Sequence, residues 1–328
     1  MSDPGGTVLS VGEHDQLFKR TFRVPENAAG ELRSVLPKAL LDVIELDSLE
    51  LMQSDMVSQQ LDEQFSDALF QARFRGVTGW IWLLHEHQSE PDPVMPLRAL
   101  EYMARSWSEL LRREPERRSL PPVVCVIVHH SERRWNAPRR LHDMVDGVAA
   151  MPELRRLVPD FELIVDDLAP QADEALLARP MSTVGKVVLW VLRDGRAIQK
   201  LLSRVHTWAA ELAKLRKESP RDAGTVARYV LSVAGADWFP QVTRVFAEAV
   251  PTMEPIMLTI ADALRQEGMA RGLAEGKAES VLAVLEARGL EVSAEQRDRI
   301  SACHDVAELD RWLRRAVTVA TVAELFSH

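Results

Sequence analysis

Cysteine is scarce in this sequence. Only two occur among the 328 residues, Cys125 within an apolar run and Cys303 far downstream. Two isolated cysteines cannot form a disulfide framework or the paired-cysteine ligand set of a structural zinc site. We therefore expect a protein of a reducing compartment, and the cytoplasm is the predicted location.

Long apolar runs are also absent. No stretch approaches the length of a membrane-spanning helix, and the first residues lack the basic, apolar and small-residue order of a signal peptide. The sequence therefore predicts no membrane association. The net charge is −9, with 49 acidic and 40 basic residues, so cations do not cover the surface. Any contact with nucleic acid must then depend on a local basic patch.

Several common catalytic motifs are missing as well. The sequence contains no G-x-S-x-G, no phosphate-binding Walker loop and no G-x-G-x-x-G. Acyl transfer from a nucleophile elbow, hydrolysis of nucleoside triphosphates and binding of dinucleotides are therefore not indicated.

The residues that are present predict an α/β architecture followed by helices, with a hydrophobic content of 46% that suffices for a core and a second, smaller unit. The predicted divisions are a flexible tail over 1–12, an α/β domain over 13–170, a helical region over 171–265 and a C-terminal helical module over 266–328. The predicted helices of the α/β domain are 25–37 and 95–113, and its predicted strands are 49–57, 65–74, 80–88, 121–130 and 161–168. A helix before the run 121–130 predicts a crossover that sets this strand parallel to its neighbour.

Two carboxylates fall on the predicted hairpin formed by the second and third strands. Residues that face each other across an antiparallel pair lie at equal distances from its turn. A turn centred between Gly76 and Val77 sets Asp67 opposite Glu86, and Gln88 shares a strand face with Glu86. Opposed carboxylates repel each other unless a cation lies between them, so this face predicts a site for a hard divalent metal. The alternative is a pair of solvated strand ends without a metal.

The order of several segments resembles the Rpn family of recombination-promoting nucleases, which are also labelled putative transposases. The segments are HDQLFK (14–19), PENA (25–28), SDALF (66–70), EHQSEPDPVMPLRALEYM (86–103) and LPPVVCVIVHH (120–130). The resemblance covers about residues 13–168. Because that family is assigned to the PD-(D/E)XK superfamily, the resemblance implies a restriction-endonuclease-like core with the element order αβββαβ, followed by a mostly helical C-terminal region.

The resemblance also implies the chemistry, a metal-dependent endonuclease that hydrolyses phosphodiester bonds of DNA in recombination, mobile-element or defence processes. The motif aspartate falls on Asp67 and the acidic residue of the E-x-Q motif on Glu86, and the expected metal is Mg²⁺, with Mn²⁺ or Ca²⁺ as alternatives. Gln88 stands where many relatives in the superfamily carry lysine, and its amide can orient water but supplies no positive charge. His129 and Ser131 depart from the Tyr and Gly that are usual in the family.

The sequence leaves two other functions open. The first alternative is a catalytically weak or inactive protein of the same fold that binds DNA or protein. The second is a helical scaffold that acts through residues 171–328. The presence of Asp67 and Glu86 favours the enzyme over the inactive protein, and the scaffold would be favoured if the helical half assembled and the first half bound no metal.

Arginines supply the candidate contacts to DNA phosphates. Arg98 lies in the family-matched segment close to the E-x-Q motif. Four more surround a tryptophan in a predicted loop after a strand, Arg133, Arg134, Arg139 and Arg140. Loops after parallel strands commonly face ligands, and cations there offset phosphate charge. The alternative is an ordinary solvated surface.

Polar residues at the strand ends allow further interpretations. Four histidines could be imagined as a transition-metal cluster, namely His85, His87, His129 and His130. Histidines in apolar strands more commonly pack against neighbours, so packing is the preferred interpretation. Asp166 and Asp167 end the last strand, where aspartates are most often turn residues, and they are not assigned to the site.

The C-terminal module carries Gly268, Gly272 and Gly276 at intervals of four within a helical sequence. Such a stripe is flat and can let two helices approach closely. The amphipathic helices after it are too few to bury a large core, so we predict a homo-oligomer formed through the C-terminal helices. The alternative is a flexible hinge at the glycines.

Overall fold

The computed structural model describes most of the chain, in four stretches: 12–52, 68–86, 91–131 and 133–326. For Glu86 only the backbone is described. The chain divides into two compact units, Met1–Met257 and Leu258–His328. The predicted tail over 1–12 lies outside the described residues except for Gly12, which begins the first helix. The finer divisions after residues 170 and 265 stay predictions.

Three helices precede the sheet: α1 (Gly12–Phe22), α2 (Pro25–Val35) and α3 (Lys38–Leu41). Helix α1 buries one face at helical spacing, namely His14, Leu17, Phe18, Thr21 and Phe22. Helix α2 confirms the helix predicted from residue 25. Pro25 occupies its first turn, where the missing N–H costs no hydrogen bond, and the helix ends two residues before Pro37.

Five strands form one mixed sheet in chain order: β1 (Ile44–Leu51), β2 (Ala68–Phe74), β3 (Val77–Glu86), β4 (Val123–His129) and β5 (Ile164–Asp167). The first three strands pair antiparallel, whereas β3, β4 and β5 are parallel. Helix α4 (Met95–Arg113) has the predicted bounds and connects β3 to β4. This confirms the predicted helical crossover and the mixed α/β class, because a parallel neighbour requires the chain to return to the same end of the sheet.

The β2–β3 hairpin has a different register from the predicted one. Its described pairs run from Ala68 with Leu83 to Phe74 with Val77, so its centre lies between Arg75 and Gly76 rather than between Gly76 and Val77. Arg75 and Gly76 have φ angles of 48° and 85°, the left-handed pair of a two-residue hairpin turn that matches strand twist. A shift of the centre by one residue moves every pairing by two residues. The predicted opposition of residue 67 to residue 86 is therefore not the register of the described ladder, and residue 67 itself lies outside the described residues.

Strand β1 begins five residues earlier than the predicted strand over 49–57. Ile44 and Leu46 are buried at alternating positions, and the pairing with β2 is interrupted between Glu45 and Glu50. The irregularity breaks the simple alternation that sequence patterns detect. Residues 53–57 of the predicted strand lie outside the described residues.

The helices after the sheet confirm the predicted helical character of the chain beyond residue 170. Within the first unit they are α5 (Asp173–Leu177), α6 (Thr183–Asp194), α7 (Ile198–Glu218), α8 (Pro220–Ala234) and α9 (Phe239–Ala249). They join the N-terminal helices rather than standing apart. Tyr229 of α8 and His14 of α1 form a hydrogen bond of 2.7 Å between Oη and Nδ1, and both side chains are buried.

The second unit is helical throughout its described part: α10 (Glu254–Ala287, most of which belongs to this unit), α11 (Ala294–Ser301), α12 (Val306–Ala316) and α13 (Val322–Leu325). Ala274, Ala278 and Leu285 of α10 pack with Leu309 and Trp312 of α12 in a core of its own. Helix α10 continues without a break through the three glycines. No described helix of the chain combines the length and the apolar character needed to span a membrane.

Candidate active site

Three parallel strands end side by side at one edge of the sheet. The register pairs Glu86 of β3 with His129 of β4, and His129 with Asp167 of β5. These three positions form a line across the sheet, which we name the Glu86 row. A carboxylate, an imidazole and a second carboxylate thus occupy neighbouring strand ends.

A second line of residues runs beside it, one residue earlier in each strand. His85, Val128 and Asp166 are paired in the same way, and we name them the His85 row. Because successive residues of a strand alternate between faces, the two rows belong to opposite faces of the sheet. The Glu86 row belongs to the face that carries Ile127 and helix α4, and the His85 row belongs to the face that carries helix α1.

The predicted metal ligands are described only in part. Asp67 and Gln88 lie outside the described residues, and Glu86 is described by its backbone at the end of β3. Within the described part of the chain, no group of three or more His, Cys, Asp or Glu side chains is arranged to hold a metal ion. The predicted ligand set therefore stays a prediction from the sequence.

Arg98 lies on the α4 face but has protein partners. Its Nη1 donates to Asp92 Oδ2 at 2.6 Å, and its Nη2 donates to Tyr102 Oη at 3.3 Å. Burial alone would lower the pKa of Arg98, but the hydrogen bonds to Asp92 and Tyr102 raise it above its ordinary value. The side chain is thus fixed as a cation at the start of α4, and its contact with phosphate stays a prediction.

The predicted loop after β4 holds the other four arginines, and we name its residues 133–140 the arginine loop. All four arginine side chains are exposed, as listed in chain order: Arg133, Arg134, Arg139 and Arg140. Trp135, at the centre of the loop, is buried in the core under α4. The loop therefore presents cations to solvent while its tryptophan anchors it to the domain.

Acidic residues contact Arg140, the last arginine of the loop. Its guanidinium donates to the Asp160 carboxylate and lies 3.7 Å from Glu162 Oε2. The hydrogen bond to Asp160 raises the pKa of Arg140 above its ordinary value. A phosphate at this position would have to compete with the carboxylate of Asp160.

Three of the four candidate histidines are described, and they pack against other rings, in agreement with the packing interpretation. His85 stacks between Phe18 and His130, with ring centroids 4.3 Å and 4.8 Å away. His129 instead lies nearly perpendicular to the Trp135 ring, with the ring centroids 5.3 Å apart. These three histidines therefore belong to two separate environments on the two faces. His87 lies outside the described residues.

Sequence reasoning missed a buried ion network behind the His85 row. Arg179 donates to Asp166 Oδ2 and Oδ1 at 2.8 Å and 3.0 Å and to Glu31 Oε2 at 2.5 Å. All three side chains are buried. The turn assignment for Asp166 was therefore wrong, whereas Asp167 does accept a hydrogen bond from the backbone N–H of Ala169, two residues on. The cue in the sequence was weak, because 148 residues separate Glu31 from Arg179.

Burial and the neighbouring Asp166 carboxylate together outweigh the effect of Arg179 and raise the pKa of Glu31 well above its ordinary value. Arg179 thus lies between two buried carboxyl groups and contacts both.

Comparison with known proteins places this chain in a family. The family model described as "Putative transposase, YhgA-like" matches residues 12–220. The protein RpnE of Escherichia coli (strain K12), named an inactive recombination-promoting nuclease-like protein, is 26% identical over 274 residues, which is 83% of this chain and 87% of that protein. No solved structure matches the chain.

Two similar proteins carry names without the word inactive. The recombination-promoting nuclease RpnA of Escherichia coli (strain K12) is 26% identical over 256 residues, which is 78% of this chain and 84% of that protein. The recombination-promoting nuclease RpnD of Escherichia coli O157:H7 is 32% identical over 120 residues, which is 37% of this chain and 46% of that protein. The names of these relatives thus include both active and inactive nucleases.

Proposed function

The chain belongs to the YhgA-like putative transposase family, and on that premise we propose that it is a divalent-metal-dependent DNA endonuclease with a PD-(D/E)XK core. The observation that carries the proposal is the presence of Asp67, Glu86 and Gln88 within the family-matched segment. The order of elements supports it, because helices, three antiparallel strands, a helix and a parallel strand follow one another as in the αβββαβ core. The names of RpnA and RpnD support the reaction class.

The donor set fits a hard divalent ion. Asp67 and Glu86 offer carboxylate oxygens, which are the ligands that Mg²⁺ accepts. Mn²⁺ and Ca²⁺ accept the same atoms and are the alternatives. When bound, the metal lowers the pKa of a coordinated water and offsets charge on the scissile phosphate.

The residues of the chain would then bind the metal, orient the water and contact the phosphate. Asp67 and Glu86 hold the ion, and the Gln88 amide orients the attacking water by hydrogen bonding. Gln88 cannot lose a proton or carry a positive charge, so the chain's own stabilisation of the transition state depends on nearby arginines. Arg98 and the arginine loop are the candidates for that role and for binding the phosphate backbone.

The experiment is incubation of purified protein with supercoiled plasmid and Mg²⁺, Mn²⁺ or Ca²⁺, followed by electrophoresis. We expect nicked and linear products with the wild type in at least one of these ions. Asp67→Ala should abolish them, and Asp237→Ala, which removes an exposed carboxylate of the first unit, should not. Cutting that is undiminished in both Asp67→Ala and Glu86→Ala would place the active site elsewhere.

The similarity to RpnE favours one alternative function, a DNA-binding or protein-binding module without cleavage. The plasmid experiment separates it from the enzyme only when binding is measured beside cleavage. A protein that shifts the mobility of DNA but produces no nicks in any of the three ions would have the alternative function.

The proposal includes self-association of two copies through helix α10. Met269 and Leu273 are 74% and 53% exposed, and a Cβ built on Gly272 or Gly276 meets nothing within 4 Å. At about 100° per residue, both glycines lie about 200° from the buried Ala274, so this surface faces away from the core of the second unit. A second copy of the same helix could bury the apolar residues and approach closely at the glycines. A two-fold dimer also offers one active site to each antiparallel strand of DNA.

A further inference from the structure

The backbone of Arg133, at the start of the arginine loop, is held from both sides by one serine. The N–H of Arg133 donates to Ser131 Oγ at 3.0 Å, and Ser131 Oγ donates to the carbonyl oxygen of Arg133 at 2.7 Å. Both hydrogen bonds connect residues only two apart, so they fold the chain tightly as it leaves β4. Ser131 is itself buried, and its hydroxyl therefore works without competition from solvent.

His129 completes this arrangement from the end of β4. Its Nε2 lies 3.2 Å from the carbonyl oxygen of Arg133 and 3.2 Å from Ser131 Oγ. A carbonyl oxygen can only accept, and the hydrogen of the Ser131 hydroxyl is already donated to it. The hydrogen of His129 must therefore reside on Nε2, from which it is donated to this pair of oxygens.

Asp167 holds the next part of the loop. Its Oδ2 accepts a hydrogen bond of 2.9 Å from the backbone N–H of Trp135. The Trp135 ring lies nearly perpendicular to the His129 ring and donates from Nε1 to the carbonyl oxygen of Ala137 at 2.8 Å. His129 and Asp167 are both members of the Glu86 row, so the row that contains the predicted metal ligand also fixes the loop.

We propose that His129, Ser131 and Asp167 are positioning residues that hold the arginine loop in the conformation that binds the phosphate backbone of duplex DNA beside Glu86. The three are named the loop clamp. The inference rests on the proposed DNA-binding function and adds the residues that determine its affinity. A loop that is ordered before binding loses less conformational entropy on contact with DNA. Less of the attraction between its cations and the phosphates is then offset by that entropy cost, so the affinity is higher.

The clamp residues fix the conformation of the loop, whereas the arginines supply its charge. The two roles can be distinguished by the Kd for DNA and its dependence on salt. Removal of a clamp hydrogen bond should raise the Kd for DNA and leave the dependence of log Kd on log salt unchanged, because the same number of phosphates is neutralised. Reversal of an arginine charge should change both the Kd and the salt dependence.

The test measures binding of the full chain to a fluorescent duplex in EDTA, where no cleavage occurs, together with amide hydrogen exchange over residues 133–140. We expect Ser131→Ala and His129→Phe to raise exchange in the loop and to raise the Kd about three- to tenfold. His129→Phe keeps a ring against Trp135, so it removes the N–H with little loss of packing. Ser131→Thr and His129→Gln retain a donor and should restore both readouts. Ser203→Ala, which removes the hydroxyl of an exposed helical serine, is the matched control.

Several results would overturn the proposal. One is faster exchange in Ser131→Ala or His129→Phe with an unchanged Kd, and another is unchanged exchange in both. If either variant fails to fold, the retained-donor variants decide, and restored exchange protection without restored affinity counts against the clamp.

The same experiment separates the clamp from the proposed nuclease activity. A wild type that does not bind the duplex at any salt concentration contradicts the DNA-binding function and the clamp together. If the clamp variants lose affinity as expected but the wild type cuts no plasmid in any metal, the nuclease activity alone is contradicted.

Discussion

The His85 row and the Glu86 row lie one residue apart at the same strand ends, yet their chemical surroundings differ. Asp166 in the His85 row is buried and bonded to Arg179, and His85 stacks between two rings. The Glu86 row is followed instead by the exposed cations of the arginine loop, which Asp167 helps to fix. The Asp166 charge is thus paired with a buried cation inside the protein, whereas the arginines that follow the Glu86 row are exposed to solvent. We therefore predict that substitutions in the His85 row lower stability, whereas those in the Glu86 row lower DNA binding or cleavage.

The largest effect on stability is expected from Arg179→Met. The substitution leaves the Asp166 carboxylate buried without its cation, and breaking a buried pair in this way costs about 3–5 kcal/mol of unfolding free energy. Urea unfolding followed by circular dichroism measures the change. Arg20→Met, which breaks the partly exposed pair with Asp222, is the control and should cost less than about 1 kcal/mol. Equal losses of unfolding free energy in the two variants would show that the buried network stabilises the fold no more than the surface pair does.

A smaller effect concerns the dependence of stability on pH. Burial raises the pKa of Glu31 in the folded protein above the ordinary value of 4.5, so folding takes up a proton. The stabilising contribution is complete below about pH 4.5 and is lost as the pH rises through the folded-state pKa, with a slope of at most about 1.4 kcal/mol per pH unit. Glu31→Gln should remove this slope from urea unfolding measured between about pH 5 and pH 7, whereas Glu26→Gln, exposed in the same helix, should keep it. Identical slopes in the two variants would show that Glu31 is charged in the folded state.

Local patterns were sufficient for much of this architecture. The helix predicted over roughly 95–113 is confirmed, because its apolar side chains recur at helical spacing. The parallel placement of β4 followed from that helix, and the arginine loop followed from the position of its cations after an apolar strand.

The failures have a common physical cause, which is that they depend on contacts or backbone angles absent from local patterns. The hairpin centre depends on the left-handed conformations of Arg75 and Gly76, and a difference of one residue there changes all pairings. The partnership of Glu31 with Arg179 forms only when distant segments pack. The loop clamp likewise joins Trp135 to Asp167 across 32 residues.

A third prediction concerns the exposed cations of the α4 face. Charge reversal at exposed residues of the arginine loop should weaken DNA binding about tenfold or more at low salt, most clearly for Arg134→Glu and Arg139→Glu. Each lost phosphate contact should also reduce the slope of log Kd against log salt by about 0.9. Fluorescence anisotropy over a salt series measures both quantities. Arg105→Glu, on the exposed side of α4, is the matched control, and an equal effect there would indicate attraction to the whole surface rather than to the loop.

The smallest effect is expected in the second unit, which contains neither row. Gly272→Leu with Gly276→Leu should shift the protein from dimer toward monomer, because the added side chains prevent close approach of two α10 helices even though leucine favours the helix. Light scattering at matched concentrations measures the mass. Ala270→Leu adds bulk on another side of the same helix and should leave the dimer intact. A monomeric wild type would contradict the predicted self-association without affecting the assignment of the rows.

We claim that the Glu86 row serves the reaction on DNA and that the His85 row serves the fold. The most direct test of this claim compares Glu86→Gln with Asp166→Asn in plasmid cleavage with Mg²⁺ and in urea unfolding, using the same preparations at a temperature where both are folded. We predict that Glu86→Gln loses about a thousandfold in cleavage rate while its unfolding free energy stays within about 0.5 kcal/mol of the wild type. Asp166→Asn should lose about 1–3 kcal/mol of stability, less than Arg179→Met because the Glu31 carboxyl group remains beside Arg179, but should cut at the wild-type rate when folded. Wild-type cleavage by Glu86→Gln, or a folded but inactive Asp166→Asn, would contradict the claim.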